Sequence, residues 1–205
     1  MYIKAFFKHH TKSKPIKEYK DLLKDLTNMN LRRTSKYNAL AIYGALECVK
    51  NIDIPHNLDI YSSSEHGAIK DISVVLEELN SQFQTIMPFD FLAISSSNIG
   101  FYISKALDSV GNNISITSKG TSFIKAIELA YNTLKSHNSQ DILVGYIDEA
   151  LDELNHEEIT ANQEQFSYDK SYWVFLSNNN ENALLKIDSL DIFNDLDKLA
   201  KKLSI

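Results

Sequence analysis

Few residues in this chain pair a reactive group with a neighbour able to activate it. The only thiol, Cys48, falls inside an apolar helical pattern, where it reads as a small buried hydrophobe rather than a nucleophile. His66 stands between Glu65 and Gly67 just after a β-prone run. A strand-to-helix corner is where functional side chains gather, and it is equally a place for a structural or solvated histidine. His9 and His10 are adjacent, with no carboxylate or thiol at metal-ligand spacing, so both are expected to be solvated and no metal site is expected. Ser62, Ser63 and Ser64 lack the flanking glycines of a hydrolase elbow, as do Ser95, Ser96 and Ser97; both clusters read as satisfying backbone groups at turns. Gly120 separates a β-branched run from a helical pattern, a place where glycine permits a positive φ.

The elements that must position these residues belong to one domain. A chain of 205 residues, 43% of them hydrophobic, is long enough for a single sizeable core and short for two. No run approaches the roughly 18 apolar residues of a membrane span, and the start MYIKAFFKHH lacks the apolar stretch of about 7 to 15 residues in a signal peptide. A cytoplasmic location is therefore expected, and a single cysteine excludes an intramolecular disulfide. Charge is unevenly spread: residues 1 to 36 hold ten Lys and Arg against three Asp and Glu, whereas the whole chain is at −6. Such a basic segment (1–30, read as a strand and a helix) either steers an acidic partner or simply solvates an amphipathic helix. No nucleic-acid-binding signature accompanies the charge, so nucleic acid is not an expected partner.

Periodicity gives an alternating order of elements. YIKAFF reads as a strand, KPIKEYKDLLKDL as an amphipathic helix, and residues 32–50 as a broadly buried helix. LDIYSSS and AIKDISVVLEELN follow as strand and helix; NIGFYISKALDSVG is helical, with Gly111 as its stop. ISITSKG reads as a strand, TSFIKAIELAYNTLKSH as a helix, and DILVGYID as a strand buried on both faces. Residues 152–169 are polar and read as an exposed connector. SYWVFLSN and ALLKIDSL then read as paired strands around the turn NNNEN, and DIFNDLDKLAKKL as a closing helix. The expected architecture is α/β, a layered mixed five-stranded sheet flanked by helices.

The stretch from Ser118 to Ser122 (Ser118, Lys119, Gly120, Thr121, Ser122), with the helix and strand after it, resembles the nucleophile segment T-A-C-x-S of β-ketoacyl synthases. Upstream, RRTSKYNALAIYGALECV resembles the family's RR-x(n)-A-x-x-A-L-E-A helix, and IYSSSEHGAI the strand and loop that follow it. Ser64, Glu65, His66 and Gly67 resemble the S-x-H-G segment of ketosynthase N-terminal-domain proteins of chain-length-factor type, which lack the nucleophile cysteine. Ser95, Ser97 and Asn98 resemble their S-x-H-N segment loosely. Together the resemblance covers about residues 30 to 190.

The resemblance implies a thiolase-like half fold over residues 1–205. In the family an acyl chain is carried on a thiolate lowered in pKa by the helix it opens, and here Gly120 has no side chain to form that thioester. Two histidines from a second homologous half are also expected to be missing. Catalysis is therefore not expected of the chain by itself, and no cofactor is expected. The resemblance implies a non-catalytic partner of a catalytic ketosynthase subunit, or a self-dimer, in fatty acid, polyketide or aryl-polyene-type synthesis. Its expected interface is the strand before the elbow, with Ile114, Ile116, Ser118, Thr121, Asn98, Phe101, Tyr102 and Phe123 as interface or tunnel residues. Lys12, Lys14, Lys17, Arg32 and Arg33 are the expected docking residues for an acyl carrier protein. An alternative is a small acyl-transfer or hydrolytic enzyme using His66 with a nearby serine.

Overall fold

The computed structural model describes residues 1–82, 86–95, 97–136, 138–151 and 167–203. Its elements run β1 (Tyr2–Lys12), α1 (Ile16–Leu23), α2 (Lys36–Val49), β2 (Asp59–Ser64), α3 (Ile69–Gln82), α4 (Pro88–Ala93) and α5 (Asn98–Leu107). They continue with β3 (Asn113–Thr117), a 3-10 turn (Lys119–Thr121), α6 (Ser122–Lys135), β4 (Asp141–Asp148), β5 (Tyr168–Ser177) and β6 (Leu185–Lys186). A second 3-10 turn (Leu190–Asn194) and α7 (Leu196–Lys202) close the described chain.

The strands form one mixed sheet in the order β3-β2-β4-β5-β1-β6. β2 pairs in parallel with β3 and β4, and β5 runs antiparallel to both β4 and β1. All six strands read from the sequence are in the sheet, which thus holds one more than the expected five; the last, β6, is only two residues long and pairs with Tyr2 and Ile3. β5 and β6 were expected to pair with each other; β1 lies between them instead. Ile3 and Phe6 of β1 are buried, and that apolar face is best covered in the sheet interior.

Strand periodicity sends alternate side chains to opposite faces, and each face carries helices. Leu143, Ile147, Trp173 and Phe175 meet α1, α2 and α5 on one face. Ile142, Val144, Val174 and Leu176 meet α6, Phe193 and α7 on the other. Helix α2 is apolar nearly all round, and eleven of its residues are buried. Its start is capped by Ser35, whose side chain accepts from the Asn38 amide.

Several local expectations change. α5 is ended by Asp108 in the left-handed region (φ 51°), not by Gly111, whose backbone is packed against Leu58. The closing segment splits into a 3-10 turn and α7, because the Asp195 side chain caps a new helix by accepting from the Lys198 amide. Most of the expected connector, 152–166, lies outside the described residues. At its far end, however, Asp169 is fully buried in β5, where it accepts from Lys36, Tyr19 and the amides of Lys14 and Ala150. His9 is not solvated either: it packs edge-on against Tyr19 and Tyr43 and bonds the Tyr19 hydroxyl. Burial lowers its pKa.

Candidate functional site

Two parallel strands end side by side at the centre of the sheet, and the turn after each brings the candidate residues together. β2 and β4 are in register from Asp59 with Ile142 to Ser63 with Tyr146. Alternation along β4 puts Tyr146 and Asp148 on the face covered by α6. After Ser64, the chain turns through Gly67 at φ 65°, a left-handed position that favours glycine.

Asp148 is the hub of this corner. It is buried, and its carboxylate accepts from Ser64 Oγ at 2.7 Å, from the His66 amide at 3.0 Å and from the Glu65 amide at 3.1 Å. His66 Nδ1 lies 3.5 Å from Asp148 Oδ1, and Tyr146 donates to Glu65 Oε2 at 3.4 Å. Burial alone would disfavour the charged carboxylate, but the hydrogen bonds from His66, Tyr146 and Ser64 outweigh it and hold Asp148 below the ordinary range. The same bond to Asp148 raises the His66 pKa against partial burial. Burial and the neighbouring Asp148 raise that of Tyr146.

Gly120 sits in the 3-10 turn that leads from β3 into α6. The backbone strain expected at this elbow falls on its neighbour: Lys119 is left-handed at φ 47°, whereas Gly120 is not among the positive-φ glycines. Space rather than conformation distinguishes Gly120. Among the described residues beyond its chain neighbours, a Cβ built there meets a single atom within 4 Å, Glu65 Oε1 at 3.9 Å. The carboxylate of Glu65 thus overlooks the place where a nucleophile's side chain would begin.

Ser62, Ser63 and Ser64 stand in the strand that leads to His66. All three lie inside β2 rather than at a turn, and all are buried. Ser62 bonds Ser115, Ser63 donates to the Gly145 carbonyl, and Ser64 donates to Asp148 while accepting from the Gly67 amide. Ser118 faces Lys125 and Thr121. Cys48 is buried and donates to the Trp173 carbonyl; burial pushes its thiol pKa up, away from a reactive thiolate.

The expected interface residues fall into two groups. Ile114, Ile116 and Ser118 lie on or just beyond β3, an edge strand whose only sheet neighbour among the described residues is β2. Thr121 is exposed at the turn. Asn98, Phe101 and Tyr102 of α5 line a groove of about 430 Å³ with Arg33, Phe89 and Leu92, and Phe101 is 58% exposed. Phe123 is core: it packs edge-on against Tyr146 and Phe193.

Of the basic candidates, Lys12, Lys17, Arg32 and Arg33 are exposed, and Lys14 pairs with Glu18. The Arg33 guanidinium stacks 4.0 Å over Phe89. A polar cavity of about 660 Å³ joins Lys14 to Lys36, Lys70, Asp71 and Glu149. Ser35 and Asp71 border both it and a neighbouring cleft beside Arg32 and Arg33. Sequence reading missed Asp148, Tyr146 and Glu149; an acidic pair closing a buried apolar strand was the available signal.

No family model and no curated protein matches the chain. Solved structures do. A ketosynthase in complex with its chain length factor from Xenorhabdus doucetiae superposes with a TM-score of 0.64 at 14% identity, covering 87% of this chain and 80% of that one. The ishigamide ketosynthase/chain length factor gives 0.66 at 9% identity over 100% and 73%. A β-ketoacyl synthase from Burkholderia phymatum gives 0.64 at 11%, over 88% of this chain and 59% of its own. No described helix is long and apolar enough to cross a membrane. With its mixed sheet, its elbow before α6 and these neighbours, the chain has the thiolase-like fold of ketosynthases and chain length factors.

Proposed function

We propose that this chain is a non-catalytic, chain-length-factor-like subunit that pairs with a β-ketoacyl synthase in fatty acid, polyketide or aryl-polyene-type biosynthesis. Gly120 carries the reading. It lies in the turn before α6, at the position that the resemblance matches to the family's cysteine, with open space above it and a carboxylate facing that space. A thiolate formed there would meet the like charge of Glu65, so both the missing sulfur and its surroundings disfavour thioester chemistry.

A partner role needs a surface, and β3 supplies one. Its outer edge has no strand beside it among the described residues, and unpaired backbone groups favour strand addition. Beside it α5 packs against β3 and leaves Phe101 more than half exposed, in a groove it shares with the exposed Phe89 and Leu92 of α4. The basic side chains around the 660 Å³ cavity and the cleft beyond it suit an acidic carrier protein that delivers acyl groups to the pair.

The test is co-purification with a candidate ketosynthase, read by light scattering. The expected result is a dimer burying more than roughly 1,200 Å². Thr117→Pro removes a donor from the open edge of β3 and should separate the subunits, whereas Asn180→Pro in the exposed turn after β5 should not. A wild type that stays monomeric, alone and with the ketosynthase, would refute the proposal.

A further inference from the structure

Beside Gly120, three side chains converge whose donor atoms the partner role does not require. We propose that Glu65, His66 and Asp148 form a binding site for a divalent transition-metal ion of the zinc class, with one coordination position open towards Gly120. The inference stands on this geometry alone and does not depend on the proposed function.

The donors come from two adjacent strand ends and lie within 4.8 Å of one another. A tetrahedral ion with bonds of about 2.0 to 2.2 Å holds its ligands roughly 3.4 Å apart, so side-chain rotations of about one ångström close the site without moving the backbone. One imidazole nitrogen and two carboxylates suit zinc and its transition-metal neighbours, whereas magnesium and calcium favour oxygen-only sets with more ligands.

The surroundings resemble the outer shell of a metal centre. Asp148 is oriented by Ser64 Oγ and by two backbone amides, the kind of support that fixes a ligating carboxylate. His66 Nδ1 faces Asp148 at 3.5 Å, long for a hydrogen bond and close to the roughly 3.4 Å at which a tetrahedral ion holds two of its ligands. Asp148 is buried, and Glu65 and His66 are half-buried, which limits competition from water. Among the described residues, its chain neighbours aside, Glu65 Oε1 alone comes within 4 Å of a Cβ built at Gly120, so room remains for a water or a ligand oxygen as the fourth donor.

The experiment uses the full chain, stripped with a chelator and titrated with Zn²⁺ by calorimetry in a non-coordinating buffer. One equivalent should bind, millimolar Mg²⁺ should not compete, and Co²⁺ in its place should give the visible absorption of a low-coordinate site. His66→Ala and Glu65→Gln should each weaken binding by roughly 10-fold or more. His10→Ala, at an exposed histidine, should leave it unchanged. Circular dichroism checks each fold; if His66→Ala unfolds, the near-isosteric Glu65→Gln carries the test. Absence of stoichiometric Zn²⁺ binding, or binding that survives Glu65→Gln and a folded His66→Ala, would overturn the proposal.

Discussion

The ring of Trp173 occupies the room that Gly145 leaves on the neighbouring strand: a Cβ at Gly145 would lie 2.5 Å from three of its ring atoms. On its other side, a Cβ at Gly44 of α2 would lie 2.6 Å from Trp173 Cδ1 and would also meet Ser171 Oγ. The indole NH donates to that same hydroxyl at 3.0 Å. One large side chain thus packs α2 onto the sheet through two glycines, and neither has room for a methyl group.

Gly145→Ala and Gly44→Ala should therefore destabilise the protein by about 2 to 3 kcal/mol each, through overpacking rather than altered backbone freedom. Urea denaturation followed by Trp173 fluorescence measures both. Wild-type midpoints would show that the indole shifts without cost.

Gly120→Cys should fold with near wild-type stability, since among the described residues beyond its chain neighbours only Glu65 Oε1 approaches the added Cβ. Its alkylation by iodoacetamide should begin at lower pH when Glu65→Gln is added, because a neutral amide no longer opposes the thiolate. Identical pH profiles with and without Glu65→Gln would remove the electrostatic argument. Intact mass of the wild type incubated with acyl-CoA should show no hydroxylamine-labile adduct.

Carrier-protein binding should weaken as salt rises and the Debye length falls from about 10 Å at 0.1 M to about 3 Å at 1 M. Replacing Lys12, Lys14 and Lys17 with glutamate should weaken it at low salt. Binding indifferent to both changes would sink the electrostatic capture idea.

His66 and Glu149 should leave opposite marks on stability against pH. His66 has its pKa raised by the hydrogen bond to Asp148, so its stabilising effect is full below the unfolded value near 6.5 and fades as pH rises through the folded value. His66→Ala should cost more at pH 6 than at pH 9. Glu149 is pushed up to about 8 by burial and then by Asp71, with Lys70, Lys36 and Asp169 also facing it. Its neutral form is preferred in the folded state, so its contribution declines from about pH 4.5 to 8. Glu149→Gln should raise the melting temperature at pH 8, on the order of 4 °C, and change little at pH 5. Thermal melts at these pH values decide both.

Much of the fold is legible in the sequence because its strongest signals are local. The period of α2 and the continuous apolar run of β4 each identify an element without reference to the rest. The place of β1 is not legible: its pairing with β5 joins Tyr2 to Ser177, and no local pattern encodes a contact of that span. Within the candidate site, Gly120 and His66 stand out by motif, and β4 alternation puts Tyr146 and Asp148 on one face. That Asp148 meets Glu65 and His66 follows only from the parallel register of β2 and β4. The serines of β2 mislead because polar residues usually indicate turns, yet here each hydroxyl is satisfied within the sheet.

The Asp169 hub bears on how this chain can be rearranged. Its carboxylate accepts from the Ala150 amide, and Asp148 and Lys170 are paired across β4 and β5. The two ends of the 152–166 segment are therefore fastened to each other by the sheet and by a buried carboxylate, whatever joins them. A circular permutant opened within that segment, with the original ends joined by a flexible linker, keeps every one of these fastenings. Ala150 and Asp169 would thus stay together in such a permutant, and an insertion between residues 151 and 167 would leave their contact intact.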